Sequence, residues 1–232
     1  MIHKVSLFSC LLLISVGLLF SSCTIKKHDE TDKAKAANEI EIYFGNTGFD
    51  AKLYVQEIWD DQVVPYIQTK AVAFDVLMPL LSSDASSACK QYGYRVGEEG
   101  TFFNFAVQGR VRVVGVNQES RNGLLYVDAQ PYGGEQEYVL QIGPVFKGTS
   151  IRDILDFISL NDFENQVEFA RLANELNFKV RDEILAGLSY DQLMDTEVDV
   201  VAVFSYDPKN LVHVMTPVGF SPVSDGDGVS NE

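Results

Sequence analysis

The densest cluster of polar side chains inside an apolar context lies in Phe157–Asn177, "FISLNDFENQVEFARLANELN". Asn161, Asp162, Asn165 and Gln166 stand there among Phe157, Ile158, Leu160 and Phe163. Side-chain amides both donate and accept, so such a group can read a hydroxylated solute. Asp162 with Glu168 offers two carboxylates, the pair that glycoside cleavage uses. Six residues apart on one helix, however, they point to different faces. A carboxylate-based hydrolase is therefore the weakest reading. No His-Glu-x-x-His pair and no Gly-x-Ser-x-Gly elbow occurs, and "GPVFKGTSIRD" lacks the spacing of a phosphate loop. Of the histidines, His3 falls in the N-terminal signal, His28 in the segment after it, and His213 alone on a strand. The chain reads as a non-enzyme that needs no cofactor and no metal.

Part of the polar cluster is what a helix start requires. Asn161 and Glu164 have the spacing of a capping pair, and Asp162 adds negative charge at the positive end of the helix dipole. Phe163, Val167, Ala170, Ala173, Leu176, Val180 and Ile184 mark one apolar face at helical spacing. Arg171 with Glu175, and Glu175 with Lys179, are i,i+4 pairs on the other. Asn165 and Gln166 are left over. Facing inward, they tie the "GPVFKGTSIRD" loop to the body of the fold, since buried amides need partners. Facing a cleft, they touch a ligand.

The elements around this helix follow from pattern. Phe49–Tyr92 reads as helical, with Leu53, Ile58, Val63 and Ile67 on one stripe, Trp59 beside them and Pro65 as an interruption. Asp75 and Ser83-Asp84 start short helices. "TFFNFAVQGRVRVVGVN" alternates, placing Phe103, Phe105, Val107, Val111 and Val113 on one face, with Gly109 where a long strand can bend or bulge. Asn122-Gly123 marks a hairpin, and "LLYVDAQ" and "EYVLQIG" are the next two strands. "EVDVVAVFS" and "LVHVMTPV" close the fold around the turn "YDPKN". Three strands, one long helix and two strands is the order of an α+β fold with an OB-like five-stranded β-barrel, the helix lying between strands 3 and 4. In that barrel the strand 1–2 and 4–5 loops lie near the usual ligand face. They carry Arg121 and Asn122, and Tyr206 and Asp207, residues that hydrogen-bond and stack on a sugar-like solute.

The ends set the compartment. Lys4 precedes an apolar run from Val5 to Phe20, too short for a comfortable membrane span, and Ser21-Ser22-Cys23 follows. The ending Leu19–Cys23 resembles a bacterial lipobox, in which the cysteine is acylated and becomes the first mature residue. Phe20 departs from the small aliphatic residue usual there. With Cys10 in the signal and Cys23 lipidated, Cys89 is left without an intrachain disulfide partner. It reads as a small apolar residue. Residues 1–22 hold one base and no acid, so the formal charge of -15 becomes -16 on cleavage. That excess disfavours nucleic acid and anionic lipid surfaces. Residues 1–22 form the signal, 23–40 a lipidated tether, 41–96 a small helical domain, 97–220 the barrel, and 221–232 a disordered tail. A flexible tether of this length holds the domain about 20 Å from the bilayer.

"FDAKLYVQEIWDDQVVPYI", "FNFAVQGRVRVVGV", "SRNGLLYVD", "LQIGPVFKGTSIRDILDFISLNDFENQVEFARLANELN" and "HVMTPV" resemble a family of predicted bacterial periplasmic lipoproteins of unknown function, over nearly the whole mature chain. The resemblance implies an OB-like barrel with a small helical domain and an association with sugar ABC transporters, beside which such proteins are often encoded. It carries over no catalytic or binding residue. The expected function is a membrane-anchored accessory or binding module on the periplasmic side, engaging a sugar-like solute or transporter components. The alternative is an envelope adaptor with no small ligand. A solute site needs convergent polar groups in a concavity, whereas a partner site needs an exposed apolar patch. Phe49, Tyr54 and Trp59 are candidates for the patch, although Trp59 is the sort of residue that packs against a barrel.

Overall fold

The structure is a computed structural model that describes residues 48–95, 102–210 and 212–223. Every described residue belongs to one compact unit, within Thr47–Glu232. The signal, Cys23, the tether and the end of the tail lie outside the described residues.

Helix α1 (Ala51–Ile58) starts on Asp50, whose carboxylate accepts from Leu53 N–H at 3.0 Å. It runs through a π-turn (Trp59–Val63) into α2 (Val64–Lys70). Pro65 accounts for the π-turn. Proline cannot donate, and its ring crowds the carbonyl four residues back. Widening the coil by one residue lets Val64 N–H reach Trp59 O and keeps the helix going. Pro65 therefore shifts the helical register without ending the helix. Val55, Ile58, Trp59, Val63 and Ile67 are buried, whereas Leu53, expected on that stripe, is exposed.

A two-residue strand β1 (Val72–Ala73) precedes α3 (Phe74–Ser83) and α4 (Ala85–Tyr92). Asp84 caps α4, accepting from Ser87 N–H at 3.0 Å and from its hydroxyl at 2.6 Å. Strands β2 (Phe103–Asn117), β3 (Leu124–Ala129), β4 (Tyr138–Gln141), β5 (Glu197–Tyr206) and β6 (Val214–Pro222) complete a mixed sheet of six. The pairings run β2–β3–β4–β6–β5, and β5 pairs again with β2. All are antiparallel except β4–β6, and β1 lies parallel to β2. Pattern reading expected five strands, because two residues carry no periodicity from which to see β1.

Strand β2 holds the assembly together. Its pairing with β5 runs unbroken from Phe103↔Tyr206 to Arg112↔Glu197. Its other edge pairs with β1 at Val107 and Gln108 and with β3 from Val111. Gly109 lies in the gap between these two partners at φ +155, and a Cβ there would stand 3.3 Å from the Phe74 ring. The bulge expected near this glycine falls instead between Val113 and Gly115. Phe105, Val107, Val111 and Val113 are fully buried, as alternation requires, while Phe103 at the strand's start is half-buried.

In chain order, α5 (Ser150–Ile154) and α6 (Gln166–Lys179) fall between β4 and β5, and a second π-turn (Val180–Ile184) extends α6. The buried residues of α6 and its extension are Glu168, Leu172, Ala173, Leu176, Asn177 and Val180. Val167 and Ala170, expected on the inner face, point outward. The face is rotated because Glu168 turns inward and its carboxylate accepts from Glu164 N–H at 2.9 Å. Lys179 pairs with Glu183, one turn beyond the expected Glu175–Lys179. Helices and strands share one hydrophobic core, so the helical segment has no separate core of its own. Strand β6 continues through Ser221 and Pro222, where the tail was expected to begin, and Val223 N–H donates to Glu197 O at 2.9 Å.

Candidate functional site

Asn165 is the true cap of α6. Its Oδ1 accepts from Val167 N–H at 2.9 Å and from Glu168 N–H at 3.1 Å. Gln166 is the first helical residue and is exposed. The start expected at Asn161 is a separate 3-10 turn, Leu160–Asp162, whose reciprocal cap is Ser159 with Asp162. Phe163 is extended and separates the two turns. Spacing selected Asn161 with Glu164, whereas the structure caps with Ser159 and Asp162 just before that pair and with Asn165 just after it. Neither Asn165 nor Gln166 ties down the "GPVFKGTSIRD" loop. Buried Gln141 does so, accepting from Lys147 N–H at 2.8 Å and donating to Lys147 O at 3.0 Å and to Thr216 Oγ1. Buried Asn177 donates to Gly148 O at 3.0 Å.

The loop residues also separate. Arg121 O accepts from Val145 N–H at 3.0 Å, and Asn122 O from Gly143 N–H at 2.7 Å. Gly123, at φ +53, presses so close that a Cβ would meet Gly143 O at 2.2 Å. Loop 118–123 is thus fastened along its main chain to the segment after β4. Tyr206 instead pairs with Phe103, at the opposite end of β2 from Asn117. Asp207 closes its own turn, its Oδ1 accepting from Lys209 N–H at 2.9 Å and its carbonyl from Asn210 N–H at 3.0 Å. Arg121 with Asn122 and Tyr206 with Asp207 thus lie toward opposite ends of β2.

Tyr206 does line an open concavity. A groove of about 470 Å³ lies between α4 and the paired ends of β2 and β5. Ala85, Ser86, Cys89 and Lys90 form one wall, and Phe102, Phe103, Tyr206 and Pro208 the other. Its surface is overwhelmingly apolar, and Phe102 is 54 % exposed. Behind it stands a ring stack. Phe105 lies on Phe204 at 5.5 Å and edge-on to Tyr206 at 6.1 Å. His213 packs on Phe204 and Tyr206 at 5.5 and 5.1 Å. Burial holds the imidazole below its ordinary range, with Asp207 opposing, so His213 is neutral at pH 7. Burial also pushes the Cys89 thiol up, away from the reactive thiolate. Basic groups at this end include Lys90 in the wall, Lys209 beside the lining Pro208, and Arg95, whose guanidinium lies 4.9 Å from the Phe103 ring centre. Sequence reading missed this groove. The available signal was Phe102, a large apolar side chain directly before the alternating strand.

The second concavity, about 260 Å³, lies between α1 and the end of α6. Lys52, Gln56, Glu175, Phe178, Lys179, Asp182 and Glu183 line it together with Val55. Its charges are largely used among themselves. Lys179 pairs with Glu183, and Arg181 with Asp182 at 2.6 Å. The Arg181 hydrogen bond holds the Asp182 carboxyl below its usual range, with Lys52 adding to the effect. Among the described residues no three His, Cys, Asp or Glu side chains are placed to hold a metal ion. None of the described helices is long and apolar enough to cross a membrane.

Comparison with known proteins agrees with this architecture. A crystal structure of an OB-fold protein from Thermotoga maritima is similar with a TM-score of 0.64 at 18 % identity, over 76 % of this chain and 100 % of that one. At that identity the likeness speaks for the fold alone. No curated protein matches the chain. Residues 13–221 match the model of a family described as "Predicted periplasmic lipoprotein (DUF2291)". The chain belongs to that family of periplasmic lipoproteins, and its place is the periplasmic side of the cell envelope, anchored by lipid.

Proposed function

We propose that this chain is a non-catalytic accessory module of the envelope, held to the membrane by acylated Cys23, and that its working part is the apolar groove between α4 and the β2–β5 ends. The machine it serves is a sugar ABC transporter, the association that its family resemblance implies. In this reading the closed run of strand pairings acts as an OB-like barrel that presents the groove at one end. The groove itself carries the reading: about 470 Å³ of open, apolar concavity with an exposed phenylalanine at its lip. That volume lies within the range of roughly 300–1,000 Å³ in which small-molecule sites fall. Apolar surface left uncovered in a concavity marks a place where something binds. Free sugars need convergent donors and acceptors, which this lining lacks, so the transported sugar is not the ligand of the groove.

The test is sugar uptake in cells. Deleting the chain should lower uptake through the neighbouring transporter, and Cys89→Trp, which fills the groove, should reproduce the loss at unchanged chain abundance. Uptake indifferent to deletion overturns the transporter association. Uptake that needs the chain but tolerates the filled groove overturns the groove as the working part.

A further inference from the structure

We propose that the groove takes a single-chain amphiphile with an anionic head, a long-chain carboxylate being the representative. This rests on the groove being the working part and names what it binds. The walls demand an apolar body. Cys89, Phe102, Phe103 and Tyr206 present carbon, sulfur and ring faces, and among them an alkyl chain gains free energy with each methylene it withdraws from water. The rim decides the head. The whole chain carries a formal charge of -15, so its mean field repels anions. Yet the charged side chain in the groove wall is Lys90, and the cation resting on the wall's Phe103 is Arg95. Elsewhere arginines meet carboxylates directly: Arg110 with Asp199, Arg112 with Glu197, Arg152 with Asp153 and Arg181 with Asp182. At the groove Lys90 and Arg95 flank apolar surface, and Asp84 before the start of α4 is a carboxylate that acts on Lys90. A carboxylate head placed there gains two cationic neighbours, while an ammonium head would be repelled. The volume suits one chain and not the two of a phospholipid.

The full acylated chain in phosphatidylcholine nanodiscs is labelled by light with decanoate carrying a diazirine, and the modified peptides are mapped. Label should fall on α4 and on the peptide that begins β2. Excess decanoate should compete it away and decylamine should not. Lys90→Glu should reduce labelling by about threefold to fivefold, as expected for losing and reversing an exposed charge contact. Labelling by the corresponding neutral decanol probe should stay constant in that variant. Cys89→Trp, or Ser86→Phe if the first variant folds poorly, should abolish both labels. Label elsewhere, or equal competition by decylamine, overturns the anionic amphiphile. Suppression by phosphatidylglycerol in the discs overturns the single chain in favour of a diacyl lipid. If no label appears but Cys89→Trp still lowers uptake, the ligand class falls and the groove stands. If the label appears and uptake ignores Cys89→Trp, the accessory reading falls and the ligand stands.

Discussion

The groove between α4 and the β2–β5 ends and the cleft between α1 and α6 are both open concavities, but they are built in opposite ways. The cleft is lined by long charged side chains that are largely paired, Lys179 with Glu183 in the lining and Asp182 with Arg181 beside it. Each such exposed pair contributes little, about 0–1 kcal/mol, and water serves its members nearly as well. The groove is lined by rings and short side chains whose backing is the core itself, since Tyr206 leans on Phe105 and Phe105 on Phe204. A cleft whose polar groups are already paired offers a ligand few free partners. A groove whose apolar wall meets water gains when anything apolar covers it.

The sharpest way to break this contrast is to truncate one ring from each side. Phe105 is fully buried behind the groove, and Phe105→Ala should cost about 3–5 kcal/mol in urea unfolding through lost contacts and a residual cavity. Phe178 lines the cleft at 40 % exposure beneath Arg181, and Phe178→Ala should cost about 1 kcal/mol or less. Comparable losses would mean that the two concavities rest on equivalent foundations.

A gentler pair probes the surfaces themselves. Phe102→Ser should lower the binding of an apolar fluorescent dye by about twofold to fivefold, because it removes the groove's exposed ring. Phe178→Ser should leave dye binding nearly unchanged. If the cleft variant loses the dye instead, the apolar binding surface has been put in the wrong place.

The same contrast explains what sequence pattern could see. The buried face of β2 was legible because alternation is local: Phe105, Val107, Val111 and Val113 all face the core. The helical segment was legible because Trp59, Val63 and Ile67 recur at helical spacing, although Leu53, five residues before Ile58, falls on the outer side of α1. The groove was not legible. It forms where residues 85–90, 102–103 and 206–208 converge, and no local period connects those stretches. Of the six named candidates for binding, Tyr206 alone reaches it. The helix start failed for a different reason, because Ser159–Asp162, Asn161–Glu164 and Asn165–Glu168 all have capping spacing and the structure uses the first and the last. Asn165→Ala should therefore cost about 1 kcal/mol. Asn161→Ala, which removes no capping oxygen from α6, should stay within about 0.5 kcal/mol. Equal costs would restore the earlier start.

The smallest expected effect separates the two regions by pH. His213 stacks on the groove's Tyr206, and burial keeps its pKa below the ordinary 6.5. As pH falls below that value the unfolded chain takes up a proton that the folded chain resists. Stability is therefore full above about pH 6.5 and declines as pH drops toward the folded pKa. In the cleft, Asp182 is held below its ordinary 3.8, first by its hydrogen bond from Arg181. Its contribution is present above that value and is lost only as pH falls through the lowered one. Urea midpoints measured between about pH 7.5 and 5.5 should thus decline more for the native chain than for His213→Phe, which keeps a ring against Phe204 and Tyr206 without a titrating nitrogen. Arg181→Gln should leave that window untouched and change only the acid limb. If His213→Phe declines as steeply as the native chain, the near-neutral loss comes from another group. The groove would then lose its titrating neighbour, and with it this last difference between the two concavities.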